Sequence, residues 1–185
     1  MTTAPTSPRP HSPRLLVQPG PIDPVRIRSM QAARARHVRL RLQPGRTLFD
    51  ALVEPLHAMG IMNASITLLG GLFTQLQYCV APPDPSGKAV AAYTQPIGAG
   101  RCCMIFGNAT LGKHADGAPL VHCHAVVRTE AGLLKGGHIL TSQCTVGAEP
   151  ISVLVTSLDG FELRVAYDAE TNISMFQPTQ ESPDA

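Results

Sequence analysis

Three of the chain's seven histidines lie between Pro119 and Leu140, in the stretch PLVHCHAVVRTEAGLLKGGHIL. Leu120 to Val127 reads as a strand. Side chains of a strand alternate faces, so His122 and His124 project together while Cys123 points away. Thr129-Glu130-Ala131-Gly132 is a turn signal, with Gly132 suited to the left-handed position of a three-residue hairpin loop. If the loop is Glu130 to Gly132, His138 falls directly across from His124. A two-residue loop would put His138 opposite Cys123 instead, and a bulge at Gly136-Gly137 would also shift the pairing. Both alternatives stay open from the sequence.

Three neutral imidazoles on one face match the ligand set of a catalytic-type zinc site, whose fourth position takes water or a substrate atom. The expected ion is Zn2+ or another divalent metal, held by His122, His124 and His138. The competing reading makes them half-buried strand residues bonded to backbone or solvent. His37, His57 and His114 lie on other elements and are not expected to ligate. Gly136 and Gly137, immediately before His138, suggest that a backbone or ligand approaches closely there.

The pattern His122-Cys123-His124, Glu130-Ala131-Gly132, Gly136-Gly137-His138 resembles the prokaryotic branch of the PPC domain, the plants and prokaryotes conserved domain. Leu40 to Gly45, Glu149-Pro150 and Phe161 to Arg164 also resemble it, so the similarity spans roughly His37 to Pro178. The resemblance implies a compact sheet with one covering helix, assembly as a homotrimer, and a DNA-binding or regulatory role. Plant members pair this domain with AT-hooks. Here the nearest stretch, Ser7-Pro8-Arg9-Pro10, lacks the glycine and first arginine of an AT-hook core.

Composition bounds the remaining possibilities. A chain of 185 residues, 44% hydrophobic and 15% charged, suits one core of moderate size plus a tail. No apolar run reaches the roughly 18 residues of a membrane helix, and the first twenty residues do not read as a signal peptide. A cytoplasmic protein without membrane contact is expected. Five cysteines without framework spacing argue against a secreted disulfide scaffold. Cys79, Cys102 and Cys103 are expected to be buried thiols.

The net charge of +2 is unevenly spread. Nine arginines face Asp23 alone between Met1 and Arg46, giving +8 there and −6 over the rest. A basic arm carrying Arg26, Arg28, Arg34 and Arg36 is a plausible electrostatic footprint for DNA phosphates. The alternative is a solvated leader, or one pairing with its own acidic body.

Seven prolines between Thr2 and Pro24 exclude regular structure. We divide the chain into a disordered extension over 1–36, a PPC-like domain over 37–178 and a tail over 179–185. Val25 to Ala35 is expected as a short helix or an extended arm. His37 to Leu42 alternates as a first strand. Thr47 and Asp50 resemble a capping box opening a helix from Leu48 to about Met59, interrupted at Pro55 and ended by Gly60. Strands are expected over 64–69, 73–80, 90–93, 101–106, 120–127, 143–146, 151–158, 161–167 and 173–176. Gly107 to Ala118, with His114, is expected as a loop. The fold class is α+β, a mostly antiparallel mixed sheet with one main helix.

Two functional classes follow besides a purely structural assembly module. One is a DNA-binding or regulatory protein with a three-histidine metal site. The other is a metal-dependent enzyme or small-molecule sensor, which needs an acid or base nearby: Glu130 sits in the hairpin turn, too far along the strand to reach easily, and Glu149 or Glu162 could approach only through the fold. No Ser-His-Asp set, phosphate loop or nucleotide fingerprint is present. Enzyme activity stays open, and binding is favoured.

Overall fold

Val38, Leu40 and Leu42 turn inward along β1 (His37–Leu42) while Arg39 and Arg41 face solvent, the arrangement that period-two patterning requires. The structure, a computed structural model, describes residues 16–25, 28–32 and 34–180. After β1, Thr47 caps α1 (Leu48–Ala58): its hydroxyl accepts from the Asp50 amide at 3.0 Å and donates to the Asp50 carboxylate at 2.7 Å. Leu48, Ala51, Leu52, Val53 and Leu56 form the buried stripe. The helix runs on through Pro55, and Gly60, at φ +67°, turns the chain out of it.

Eleven more strands follow among the described residues. They are β2 (Ala64–Leu68), β3 (Gly71–Gln75), β4 (Gln77–Cys79), β5 (Ile97–Gly98), β6 (Cys102–Lys113), β7 (Pro119–Thr129), β8 (Leu134–Ile139), β9 (Thr145–Val146), β10 (Ile151–Ser157), β11 (Phe161–Asp168) and β12 (Ile173–Gln180). One sheet runs β1-β10-β2-β6-β7-β8-β4-β5, with β11-β12 joined to β6 and β3-β9 joined to β6. Every pairing is antiparallel except the β11–β6 contact. Among the described residues the molecule is thus a mostly antiparallel sheet with a single α-helix, more dominated by strands than the α+β class suggests.

The inner sheet face and α1 share one core, in which Leu42, Leu52, Leu56, Ile66, Leu68, Leu111, Cys123, Val127 and Val153 are almost fully buried. Burial of this apolar area is the main stabilising contribution.

Several elements differ from expectation. β6 extends to Lys113, where a loop was expected after Gly107. Ala109 and Leu111 are buried in it, and glycine suits position 107 because a Cβ there would press on the Met104, Leu68 and Ala125 side chains at 3.1–3.3 Å. The expected strand over 90–93 is instead a loop. Ala92 and Thr94 donate to Pro82 and Val80, while Val90 turns away to Thr171, so the run follows one neighbouring segment for only two rungs. The run 73–80 is divided between β3 and β4, and 143–146 becomes a 3₁₀ turn (Thr141–Gln143) followed by β9. Val25 to Ala35 contains no helix among its described residues.

The expected leader and tail lie partly outside the described residues, over 1–15 and 181–185. The described part of the extension touches the body. The Gly20 amide donates to the Glu170 carbonyl at 2.9 Å, and the Asp23 amide to the Glu170 carboxylate at 3.0 Å.

Candidate metal centre and cationic surface

The β7–β8 hairpin adopts the three-residue loop. Thr129 and Leu133 close it, Gly132 sits at φ +77°, and the ladder pairs His124 with His138, Val126 with Gly136 and Arg128 with Leu134. His122 and His124 share the outer face, while Cys123 is fully buried on the inner one and burial pushes its thiol up to about 12. One ligand atom from each of His122, His124 and His138 can lie within 4.8 Å of the other two. Ring centroids are 4.9 Å apart for His122 and His124, 4.7 Å for His122 and His138, and 5.6 Å for His124 and His138.

Two glycines let β8 approach both neighbours. A Cβ on Gly136 would lie 2.4 Å from the Ala125 carbonyl oxygen, and one on Gly137 would lie 2.3 Å from the Cys79 oxygen. Gly137 also sits at φ +153°. With no side chain at either position, β8 is clamped between β7 and β4, and His138 is delivered at the next residue.

The donor set fits a divalent ion. His138 Nδ1 is buried without a hydrogen-bond partner, the usual sign of a missing counterpart at a polar atom. Burial, followed by His138 and His124, lowers the His122 pKa to about 4. Burial and His124 lower that of His138 as well. Both rings are therefore neutral at pH 7, the form that ligates metal.

Four neighbours of the centre carried no sequence signal. Tyr93 lies tilted against His138 with ring centroids 5.1 Å apart, and Phe176 meets His122 edge-on at 6.4 Å. Asn108 and Thr110 stand opposite His124 and His122 on β6. Tyr93 lies in the loop expected as a strand, and Phe176 arrives from a hairpin some fifty residues downstream, so spacing alone could not reveal either.

The carboxylates considered for catalysis are engaged or distant. Glu162 is 2% exposed and bonded to Lys113 and Arg164, Glu130 pairs with Arg101 at 3.4 Å, and Glu149 is exposed. None joins the histidine cluster among the described residues. His114 is exposed in the β6–β7 turn, while His37 and His57 lie on β1 and α1.

The four arm arginines are placed differently from one another. Arg26 is outside the described residues. Arg28 lies 3.9 Å from Asp23. Arg36 is locked onto the body, donating to the Met59 and Gly60 carbonyls at 2.7 and 3.0 Å and pairing with Asp159 at 3.2 Å. Arg34 is exposed, with no ion pair among the described residues.

A family model described as the Plants and Prokaryotes Conserved (PCC) domain matches residues 30–159. No curated protein matches the chain in sequence. Among solved structures, a metal-containing protein from Archaeoglobus fulgidus is 19% identical with a TM-score of 0.63, covering 82% of this chain and 99% of its own. A plant- and prokaryote-conserved (PPC) protein from Pyrococcus horikoshii is 19% identical at TM-score 0.60, covering 82% and 96%. A proposed DNA-binding protein from Ralstonia eutropha is 19% identical at TM-score 0.61, covering 75% and 89%. At these identities the likeness shows the fold.

Proposed function

The chain belongs to the Plants and Prokaryotes Conserved (PCC) domain family, and from that premise we propose a metal-holding regulatory protein whose His122, His124 and His138 bind one divalent ion, most simply zinc. The observation that carries this reading is the convergence of three ring nitrogens within 4.8 Å, with His138 Nδ1 buried and partnerless. The metal-containing Archaeoglobus neighbour is consistent with it. A bound ion would acidify a coordinated water and polarise an oxygen ligand. The protein's own part is to align the rings on two strands, keep His122 and His138 neutral, and flank them with Tyr93 and Phe176. The enzyme or sensor alternative shares this centre, but it would need an acid or base other than the three carboxylates above.

Metal stoichiometry by elemental analysis tests the proposal. Wild type should carry about one ion per chain, His124→Ala should lose it, and His114→Ala should keep it. A metal-free wild type after reconstitution at neutral pH, or full retention by His124→Ala, would refute the centre.

Two further elements belong to the same reading. Phe106 and Val126, paired across β6–β7, are about half exposed, and nearby Ile105 and Leu134 extend the strip. An uncovered apolar strip of this kind supports self-association, which we read as the homotrimer that the family resemblance implies, testable by solution mass of wild type and Val126→Glu. The second reading, association with DNA, is favoured by the +8 leading segment and by exposed Arg34. The proposed DNA-binding Ralstonia neighbour agrees with it. Phosphate contacts by Arg26, Arg28 and Arg34 are the mechanism. Arg36, occupied on the body, contributes little.

A further inference from the structure

A second concave site opens at the turn end of β7, four residues and about 13 Å along the strand from His124. It is a groove of about 450 Å³ between β3, the start of β6, the end of β7 and the segment after β9. Its floor is apolar. Phe73 and Cys102 are almost fully buried beneath it, and Leu72 is about half exposed along it. Its rim is cationic, with Arg101 and Arg128 set against one carboxylate, Glu130.

The state of these charges identifies the occupant. Arg128 makes no side-chain hydrogen bond or ion pair among the described residues. Arg101 meets Glu130 at 3.4 Å, and both side chains are about 70% exposed, so this contact is weak and easily exchanged. A guanidinium presents a planar fork of donors that matches the two oxygens of a carboxylate or phosphate. Small-molecule sites combine an apolar cleft of this size with a few polar groups that fix orientation.

We propose that this groove binds a small amphiphilic anion, with its apolar body on Leu72, Phe73 and Cys102 and its carboxylate or phosphate on Arg128. Arg101 supplies the second cationic contact by exchanging Glu130 for the ligand. The site is separate from the histidine centre and does not depend on metal.

The test uses the full-length protein and three naphthalene probes: 2-naphthoate, 2-naphthyl phosphate and the neutral 2-naphthalenemethanol. The chain has no tryptophan, so probe fluorescence can be followed directly. Both anions should saturate one site per chain, at least tenfold more tightly than the alcohol; their ratio tells which oxyanion is preferred. Arg128→Gln should weaken the anions about tenfold or more, the loss of one charge-assisted contact. Glu130→Gln should strengthen them, because it removes the competing carboxylate. Arg34→Gln and His124→Ala should leave binding unchanged. Arg101 and Arg128 are exposed, so a retained melting temperature will show that their variants fold. The proposal falls if the alcohol binds as well as the anions, if no probe saturates at millimolar concentration, or if Arg128→Gln binds normally. It also falls if His124→Ala abolishes binding, which would move the probe to the histidines.

Discussion

The β7–β8 hairpin and the arginine-rich segment before β1 are both dense in functional side chains, yet the protein holds them in opposite ways. The hairpin histidines sit on a continuous antiparallel ladder, over a buried face of Cys123, Ala125 and Val127, and β8 is clamped by glycine contacts on both sides. The arginine segment has no described helix or strand and meets the body at separated points, through Gly20, Asp23 and Arg36. A metal needs ligands placed to fractions of an ångström, which only a rigid frame provides. Phosphate attraction is long-ranged and tolerates freedom. Position therefore matters in the first region and charge count in the second.

Variants at the rigid end should have the largest effects. Glu162 is a buried carboxylate held by Lys113 and Arg164 beside the β6–β11 contact. Glu162→Gln leaves both cations short of a partner and should cost about 3 kcal/mol in denaturant unfolding at pH 7. Hydrogen bonding from Lys113, followed by Arg164, lowers the Glu162 pKa. Its contribution is thus present above the unfolded value near 4.5 and is lost as pH falls below that. The variant should have a flatter acid limb than wild type, and parallel limbs would contradict this assignment.

Gly137→Ala comes next. It places a Cβ against the Cys79 oxygen at a positive φ, so about 2 kcal/mol of stability should be lost. Metal affinity should fall as well, because β8 must shift and His138 moves with it. Normal stability and metal content would mean that the clamp does not position the site.

The smallest effects divide the arginine segment itself. Arg36→Gln should cost about 1 kcal/mol of stability, discounted for exposure, and leave DNA affinity nearly unchanged. Arg34→Gln should leave stability alone and reduce the salt slope of duplex binding by about 0.9. If Arg36→Gln lowers the salt slope as much as Arg34→Gln does, the anchored and free arginines are not distinct.

Much of the histidine geometry was readable before any tertiary contact was known. Alternation aligns His122 with His124, a property of adjacent backbone, whereas the loop length that decides which residue faces His124 stayed open until the hairpin register was seen. The capping pair Thr47 and Asp50 and the strand His37–Leu42 are equally local. Local patterning failed at β6, where Gly107 and Gly112 look like loop residues. They are tolerated mid-strand because the strand packs tightly there: a Cβ on Gly112 would meet the Leu163 oxygen at 2.4 Å and Phe176 at 2.7 Å.

From sequence alone the protein had a histidine hairpin, one capped helix, a basic leading segment and a sheet-rich body. Those follow from side-chain period, turn chemistry and charge, which act over a few residues. Only the tertiary structure decided that Tyr93 and Phe176 flank the histidines, that Arg36 is anchored while Arg34 has no ion pair among the described residues, and that Glu162 is locked between two cations. It also made the groove, bringing Leu72 of β3 beside Arg101 and Arg128. These placements depend on contacts between residues far apart in the chain, whose closeness is set by how the whole core packs.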